Sequence, residues 1–514
     1  MRLKYVGSAK HKPKVIIINC FSDKHRGTRG SPHFAPQSMA PVYLAGAFHP
    51  QKTELYLYSE FFSGPFEDLK KLQWADLLVL TGVNTAFDRM RQVTAYARTV
   101  NPSIRVVIGG PVARVLPNLC AQYFDVVCTG DVEQMAEVAE ELLGPGFAAE
   151  DIFPRYDLVN WMPLIGYAET TRNCNFRCSF CSMTAEDRPF ENYDLSFMRR
   201  QVEAMGYKQC VMFLDQNLFG GPRDHFKARM ELIQELYDEK RFRGWSALVT
   251  TDFFKSDENI QAAANSGCIG FFSGVESFSP EQIIAFNKRQ NLILPQELVI
   301  RRCLEAGMVF HYGLVFDPVE RSIAAFRDEL DLIVSNPRIT LPSFLTLAIP
   351  LIGTPLFRER MEAGAFLQNL RLRDMDGRTL IYKTKDPLGE AIRYLEKMET
   401  GPIDKKRLLA YAAKFFWRYK GTLSRWAMIS GLLNVVSTGM PSLGTNAREK
   451  KVPHKLRKRT FCANTEPLGS LYEPIIQIPE RYQGHFQPLL VTDEKGELHP
   501  DLWDDLGESK AVAI

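Results

Sequence analysis

Along the first 145 residues, short apolar runs alternate with stretches of helical spacing. Val15-Ile16-Ile17-Ile18 is a β-branched run of the length of one buried strand. Residues 54–58, 76–80, 105–108 and 125–129 repeat that signal. Between them, helical spacing marks 42–48, 86–100, a stretch just before 125, and 132–143. Five short strands separated by helices predict an α/β unit with a doubly wound parallel sheet over residues 1–150. Such sheets take ligands at the carboxyl ends of their strands. Those ends carry Thr81-Gly82, Gly109-Gly110 and Thr129-Gly130, small residues that let a ligand approach the backbone.

A linker containing Pro154 and Pro163 follows, and the strand–helix rhythm then restarts. Strand patterns cover 166–171, 210–215, 245–251, 268–276, 309–315 and 344–349. Six βα units in residues 151–370 predict a partial (β/α)6 barrel with its chemistry at the carboxyl ends of the strands. Beyond 370 the periodicity weakens. Residues 408–416 and 417–436 are aromatic and apolar at helical spacing, so 371–514 reads as a mostly helical C-terminal region that becomes irregular. Residues 446–459 are strongly basic, and the chain after Tyr482 is polar and expected to be loosely ordered.

Composition narrows the class. At 514 residues the chain needs more than one core. A formal charge of +3 gives no global reason to expect nucleic acid. No apolar run reaches the roughly 18 residues a membrane span requires. The start Met-Arg-Leu-Lys-Tyr-Val-Gly lacks the apolar core of a secretory signal. Single cysteines in apolar stretches, such as Cys20, Cys210, Cys268 and Cys303, fit a reducing cytoplasm.

Three other cysteines stand apart. Cys174, Cys178 and Cys181 are spaced C-x3-C-x2-C in Thr-Arg-Asn-Cys-Asn-Phe-Arg-Cys-Ser-Phe-Cys, in the loop after the first strand of the second rhythm. They supply one thiolate fewer than the four that close a cubane cluster or a structural zinc site. One iron would stay open for something other than protein. The alternative is a zinc site, or a cluster, completed by a distant fourth side chain.

This motif resembles that of the radical S-adenosylmethionine (radical SAM) superfamily, and further pieces fit in order. Phe213-Leu214-Asp215-Gln216-Asn217 is similar to the family's second strand end, Gly274-Val275-Glu276-Ser277 to the fourth, and Gly353-Thr354-Pro355 to the turn after the sixth; Asn287-Lys288 also falls at the family's offset. The N-terminal unit resembles the cobalamin-binding domain of class B members, through Gly109-Gly110-Pro111 and Asp125-Val126-Val127-Cys128-Thr129-Gly130. The resemblance implies that Cys174, Cys178 and Cys181 hold a [4Fe–4S] cluster, and that Phe180, Glu276 and Gly353 contact SAM. It implies that Thr81, Gly109, Gly110, Thr129 and Gly130 contact cobalamin. Asp23-Lys24-His25-Arg26-Gly27 departs from the histidine motif that ligates cobalt in other cobalamin proteins, so His25 reads as a loop residue.

The activity implied is methylation of an unactivated carbon through a 5′-deoxyadenosyl radical and methylcobalamin, with a flavodoxin or ferredoxin as electron donor. Two alternatives stay open: a cobalamin-dependent radical reaction without methyl transfer, such as ring closure, rearrangement or oxidation, and a non-catalytic iron–sulfur protein. The aromatic C-terminal stretch and the basic run favour a lipid-like or other large apolar small molecule, and admit peripheral membrane contact.

Overall fold

The computed structural model describes residues 12–21, 38–377, 379–400, 403–439, 468 and 470–507. It divides into two compact units: Met1–Trp161 with Phe366–Ile381 and Gly444–Ile514, and Met162–Ala365 with Tyr382–Leu443.

The first unit is a five-stranded parallel sheet: β1 (Lys14–Asn19), β2 (Glu54–Ser59), β3 (Leu77–Thr81), β4 (Arg105–Ile108) and β5 (Val126–Val127). Their order is β2-β1-β3-β4-β5. Val15 to Ile18 are fully buried because helices cover both faces of β1, as a continuous β-branched run demands. The order reverses between β1 and β3, which is where such sheets open a crevice. The single helix expected before residue 125 is two short ones, Pro111–Val115 and Pro117–Ala121. Pro117 has no N–H to donate and pushes Leu116 out of the helical region, to φ −125°.

Residues 483–507, within the stretch expected to be loose, are packed in this unit. Leu489, Val491 and Leu502 are buried. Leu372 N donates to Leu489 O at 2.9 Å, and the Asp505 carboxylate accepts from the backbone of Asn118 and Leu119 at 3.0 and 2.9 Å. The described segments of 371–514 divide between the two units, 382–439 falling in the second and the rest in the first.

A buried ion pair ties the first sheet to its helices. Glu60, just beyond β2, meets Arg89 of the helix Phe87–Val100 at 2.8 Å, and also accepts from Phe66 N at 2.8 Å and Phe21 N at 3.1 Å. Both side chains are buried. Burial works against the Arg89 guanidinium, but the charge and hydrogen bond of Glu60, with smaller contributions from Cys20 and Tyr96, together outweigh it and hold it cationic.

The second unit holds β6 (Ile165–Ala168), a small antiparallel pair β7 (Thr171–Arg172) and β8 (Glu191–Asn192), then β9 (Cys210–Phe213), β10 (Trp245–Leu248), β11 (Cys268–Glu276), β12 (Val309–Phe316) and β13 (Phe344–Leu347). Six parallel strands run in the order β6-β9-β10-β11-β12-β13, an open (β/α)6 arrangement. One side of the sheet is an aromatic core: Trp245 meets Phe271 at 5.7 Å, Phe253 meets Phe271 at 4.8 Å, and Phe254 meets Phe310 at 5.5 Å. Phe272, His311 and Gly313 alternate with these and turn to the other, inner side. There the helix Arg425–Gly439 lies near the start of β12 and β13. His311 Nε2 is 2.9 Å from Ser430 Oγ, and Nδ1 is 3.1 Å from both Asn434 Oδ1 and Ser343 Oγ. Burial lowers the His311 pKa, so the ring is neutral.

Replacing Arg89 with Met leaves the Glu60 carboxylate buried and unpaired. Urea unfolding of the first unit is expected to show a loss of about 3–5 kcal/mol, and an unchanged midpoint would contradict the pairing.

Candidate functional site

The three cysteines occupy the loop from β7 to the short helix Ser182–Glu186. Asn173 enters it in the left-handed conformation, φ +64°, one that asparagine tolerates better than most residues. Asp215, just past β9, fixes the chain ahead of the loop. Its Oδ1 accepts from Thr170 N at 2.9 Å, Thr170 Oγ1 at 2.8 Å and Thr171 Oγ1 at 2.6 Å. The carboxyl is fully buried, and desolvation raises its pKa although the threonine donors and Arg229 pull the other way.

The loop is then held from three directions. Ser179 N donates to Phe286 O at 3.1 Å, beyond β11. Leu356 N, beyond β13, donates to Ser179 O at 3.0 Å. Asn217 Nδ2, beyond β9, donates to Asn175 Oδ1 at 3.0 Å. Asn287, also at positive φ (+49°), donates its Nδ2 to Arg177 O at 2.9 Å. The cysteines thus sit at the carboxyl ends of the strands, where chemistry collects in such folds. Cys178 is buried and the other two are half-buried. Burial raises the Cys174 thiol and pushes Cys181 up to about 11, and the neighbouring thiols add to the rise.

Among the described residues no three His, Cys, Asp or Glu side chains converge on a single ion. The thiolates of a cubane each bond a different iron, and three thiols on one eight-residue loop suit that arrangement.

Glu276 ends β11 with φ +62°, a strained position for a residue with a side chain. Its Oε1 accepts from Lys288 Nζ at 2.5 Å, and both residues are buried. Burial works against the Lys288 ammonium, yet Glu276 and then Cys178 raise its pKa, so it stays charged beside the thiols. Gly274 leaves room for this pair, since a Cβ on it would meet Lys288 Nζ and Glu276 Oε1 where they now lie. Phe180 packs edge-on against Phe286 at 5.1 Å, with Ala348, Leu356 and Val315 around it. Lys288 Nζ lies 5.8 Å from the Phe180 ring centre. Gly353, at φ +84°, makes the turn into the helix Pro355–Glu362, whose Leu356 holds Ser179. Phe180, Glu276 and the Gly353 turn are therefore gathered around the cysteine loop.

In the first unit, Thr81, Gly109, Gly110, Thr129 and Gly130 stand at or just past the neighbouring ends of β3, β4 and β5. Gly110 has φ +92°, and a Cβ on it would press on Thr81 Oγ1 at 3.1 Å. A Cβ on Gly109 would meet nothing nearer than Cys128 O at 3.6 Å, which leaves its backbone approachable. Arg114 fixes the last pair, donating to Thr129 O at 3.1 Å and Gly130 O at 3.0 Å, while Gln134 Oε1 accepts from Gly130 N at 2.5 Å. His25 and the basic run 446–459 lie outside the described residues.

Sequence reasoning missed Gln290, whose Nε2 donates to Cys178 Sγ at 3.5 Å across 112 residues, and it missed Arg114 and Gln134. None of the three belongs to a periodic or spaced pattern.

Residues 168–321 match the radical SAM superfamily, so the chain contains a radical SAM domain. A [4Fe–4S] cluster and SAM are the cofactors such a domain implies, and the loop suits them. The chain is 23% identical over 294 residues to bacteriochlorophyllide d C-8(2)-methyltransferase of Chlorobaculum tepidum, covering 50% of this chain and 63% of that relative. The fold is similar to that of TsrM from Kitasatospora setae, a radical SAM methyltransferase solved with tryptophan substrate and a SAM analogue, at TM-score 0.55 and 16% identity over 77% of this chain and 90% of that one. It is also similar to that of OxsB, a cobalamin-dependent radical SAM enzyme, at TM-score 0.54 and 16% identity over 92% and 82% of the two chains.

Substitutions at two positions test the geometry. Asp215→Ala leaves three donors without an acceptor and is expected to cost about 3 kcal/mol in thermal unfolding, whereas Asp215→Asn keeps an accepting oxygen and loses no more than about 1 kcal/mol. The raised carboxyl pKa fixes the sign with pH. Its contribution is full below the unfolded value of about 3.9 and is lost as pH rises through the folded value, so the advantage of Asn grows toward neutral pH. Lys288→Met removes the cation beside the thiols and is expected to make the cluster harder to reduce, lowering its midpoint potential in an EPR-monitored titration.

Proposed function

We propose that the chain is a cobalamin-dependent radical SAM methylase that adds a methyl group to an unactivated carbon of a small, apolar, ring-bearing molecule. The observation that carries this reading is the three-thiol loop pinned to the ends of β9, β11 and β13, with a buried cation–carboxylate pair beside it. When bound, the cluster and SAM supply a 5′-deoxyadenosyl radical, and cobalamin supplies the methyl carrier.

The chain's own residues divide the remaining work. Cys174, Cys178 and Cys181 would hold three irons of the cluster and leave the fourth to SAM. Glu276, hydrogen-bonded by Lys288, would accept from the SAM ribose, and Phe180 with the Gly353 turn would line the adenine. Thr81, Gly109, Gly110, Thr129 and Gly130 offer cobalamin an approachable ridge of backbone at adjoining strand ends. The sheet order and the relative OxsB, named as cobalamin-dependent, support that assignment.

The inner side of the barrel sheet supports an apolar ring as substrate. Phe272 and Phe344 stack there at 5.7 Å and 14°, and Phe344 is exposed. Gly313 makes room for that stack, since a Cβ on it would strike the Phe344 ring. The relatives named for tryptophan and a bacteriochlorophyllide both act on ring systems. A cytoplasmic location and a flavodoxin or ferredoxin as reductant belong to the same reading.

Anaerobic reconstitution with iron, sulfide and cobalamin, followed by dithionite and mass spectrometry of the SAM products, tests it. Methionine and 5′-deoxyadenosine are expected, falling to background when all three loop cysteines are changed to alanine. With a turned-over ring compound, a gain of one methylene supports methyl transfer, and any other mass change replaces it with ring closure, rearrangement or oxidation. Zinc in the loop, or products unaffected by the cysteine changes, would overturn the radical reading.

A further inference from the structure

The helices Lys405–Tyr419 and Arg425–Gly439 form a hairpin in the second unit, joined by the turn at residues 420–424. The first helix buries Leu408, Tyr411, Phe415 and Tyr419, an i, i+3, i+7, i+11 row that accounts for its packing. Other large apolar residues of this helix lie outside that row. Leu409 is 72% exposed and Trp417 65%, with Phe416 beside them. The second helix repeats the arrangement: Ala427, Met428 and Gly431 face inward, while Trp426, Ile429 and Leu433 form an exposed i, i+3, i+7 row. Trp426 is 53% exposed and Leu433 58%. A scattered exposed leucine needs no explanation, but six large apolar side chains on one hairpin do.

The charge along the hairpin itself is one-sided. Residues 404–435 carry seven cations (Lys405, Lys406, Arg407, Lys414, Arg418, Lys420 and Arg425) and a single anion, Asp404. Arg407 is spent on Asp331. Asp404 caps its own helix by accepting from Lys406 N at 2.9 Å. Cations also sit on the exposed indoles: Lys420 Nζ lies 3.7 Å from the Trp417 ring centre, and the Arg243 guanidinium 5.9 Å from that of Trp426. Trp417 and Trp426 flank the same turn and are exposed, and Arg418, Lys420 and Arg425 lie within three residues of one or the other in the chain.

We propose that this hairpin tip docks the protein onto an anionic lipid surface, with the tryptophans at headgroup depth and the surrounding lysines and arginines against the lipid phosphates. Tryptophan favours that depth because one edge of the ring is apolar and the other donates a hydrogen bond. Apolar area alone gives weak, reversible contact, and basic residues at an anionic surface strengthen it in a salt-dependent way. Among the described residues no helix is long and apolar enough to cross a membrane, so the contact is peripheral.

Co-sedimentation of the full-length chain with sucrose-loaded vesicles tests this. Vesicles of equal parts phosphatidylglycerol and phosphatidylcholine are expected to pull the protein down, pure phosphatidylcholine vesicles much less, and added salt to release it. Changing both Trp417 and Trp426 to glutamine is expected to weaken partitioning about ten-fold or more, and Lys420→Gln or Arg425→Gln about five-fold each. These side chains are exposed, so circular dichroism should be unchanged. Equal binding to both vesicle types, or no loss in any variant, would overturn the proposal. So would a dimer in sedimentation velocity that the tryptophan changes dissolve, since a second copy of the chain would then cover this face.

Discussion

Three thiolates cannot close a four-iron cubane, and that deficit only serves chemistry if the loop bearing them stays still. A free loop could swing a fourth side chain onto the open iron or lose the cluster outright. Here the eight-residue span from Cys174 to Cys181 is tied through Asn175, Arg177 and Ser179 to segments following β9, β11 and β13. Each bond contributes only about 1 kcal/mol net, but their directions differ, so together they remove the loop's freedom to rotate or lift. Gln290 adds a donor to Cys178 Sγ, a contact of the kind that sets cluster potential.

The same economy of position governs two other features, one in each unit. Glu276 must turn its carboxylate toward the interior at the end of a nine-residue strand, and it does so with left-handed backbone. Such strain persists only where the surroundings over-determine it. The ion pair with Lys288 and the bare Gly274 provide that determination. In the first unit, glycine at 109 and 110 leaves the end of β4 without side chains, while Arg114 and Gln134 hold the end of β5 by its backbone.

Regular elements were legible because burial imposes a period. The helix Val132–Leu143 and the strand Cys268–Glu276 begin and end where the apolar spacing places them. The cysteine loop was legible because its ligands are local, all within eight residues. What escaped was long-range. The Gln290–Cys178 contact joins residues 112 apart and the Asp505–Asn118 contact residues 387 apart, and neither leaves a repeating trace in sequence. The stretch after Tyr482 reads as loose because it is polar, yet its scattered apolar residues Phe486, Leu489, Val491 and Leu502, which follow no helix or strand period, are buried. Pro117 was visible but its consequence was not read: it splits one helix into two.

The central claim is an iron left open for a small sulfonium molecule. EPR of the anaerobically reconstituted, dithionite-reduced protein, recorded with and without SAM, addresses it most directly. A change in the cluster's g-values on adding SAM is the result this account predicts. A spectrum indifferent to SAM would mean that the fourth iron is already capped, and would contradict it.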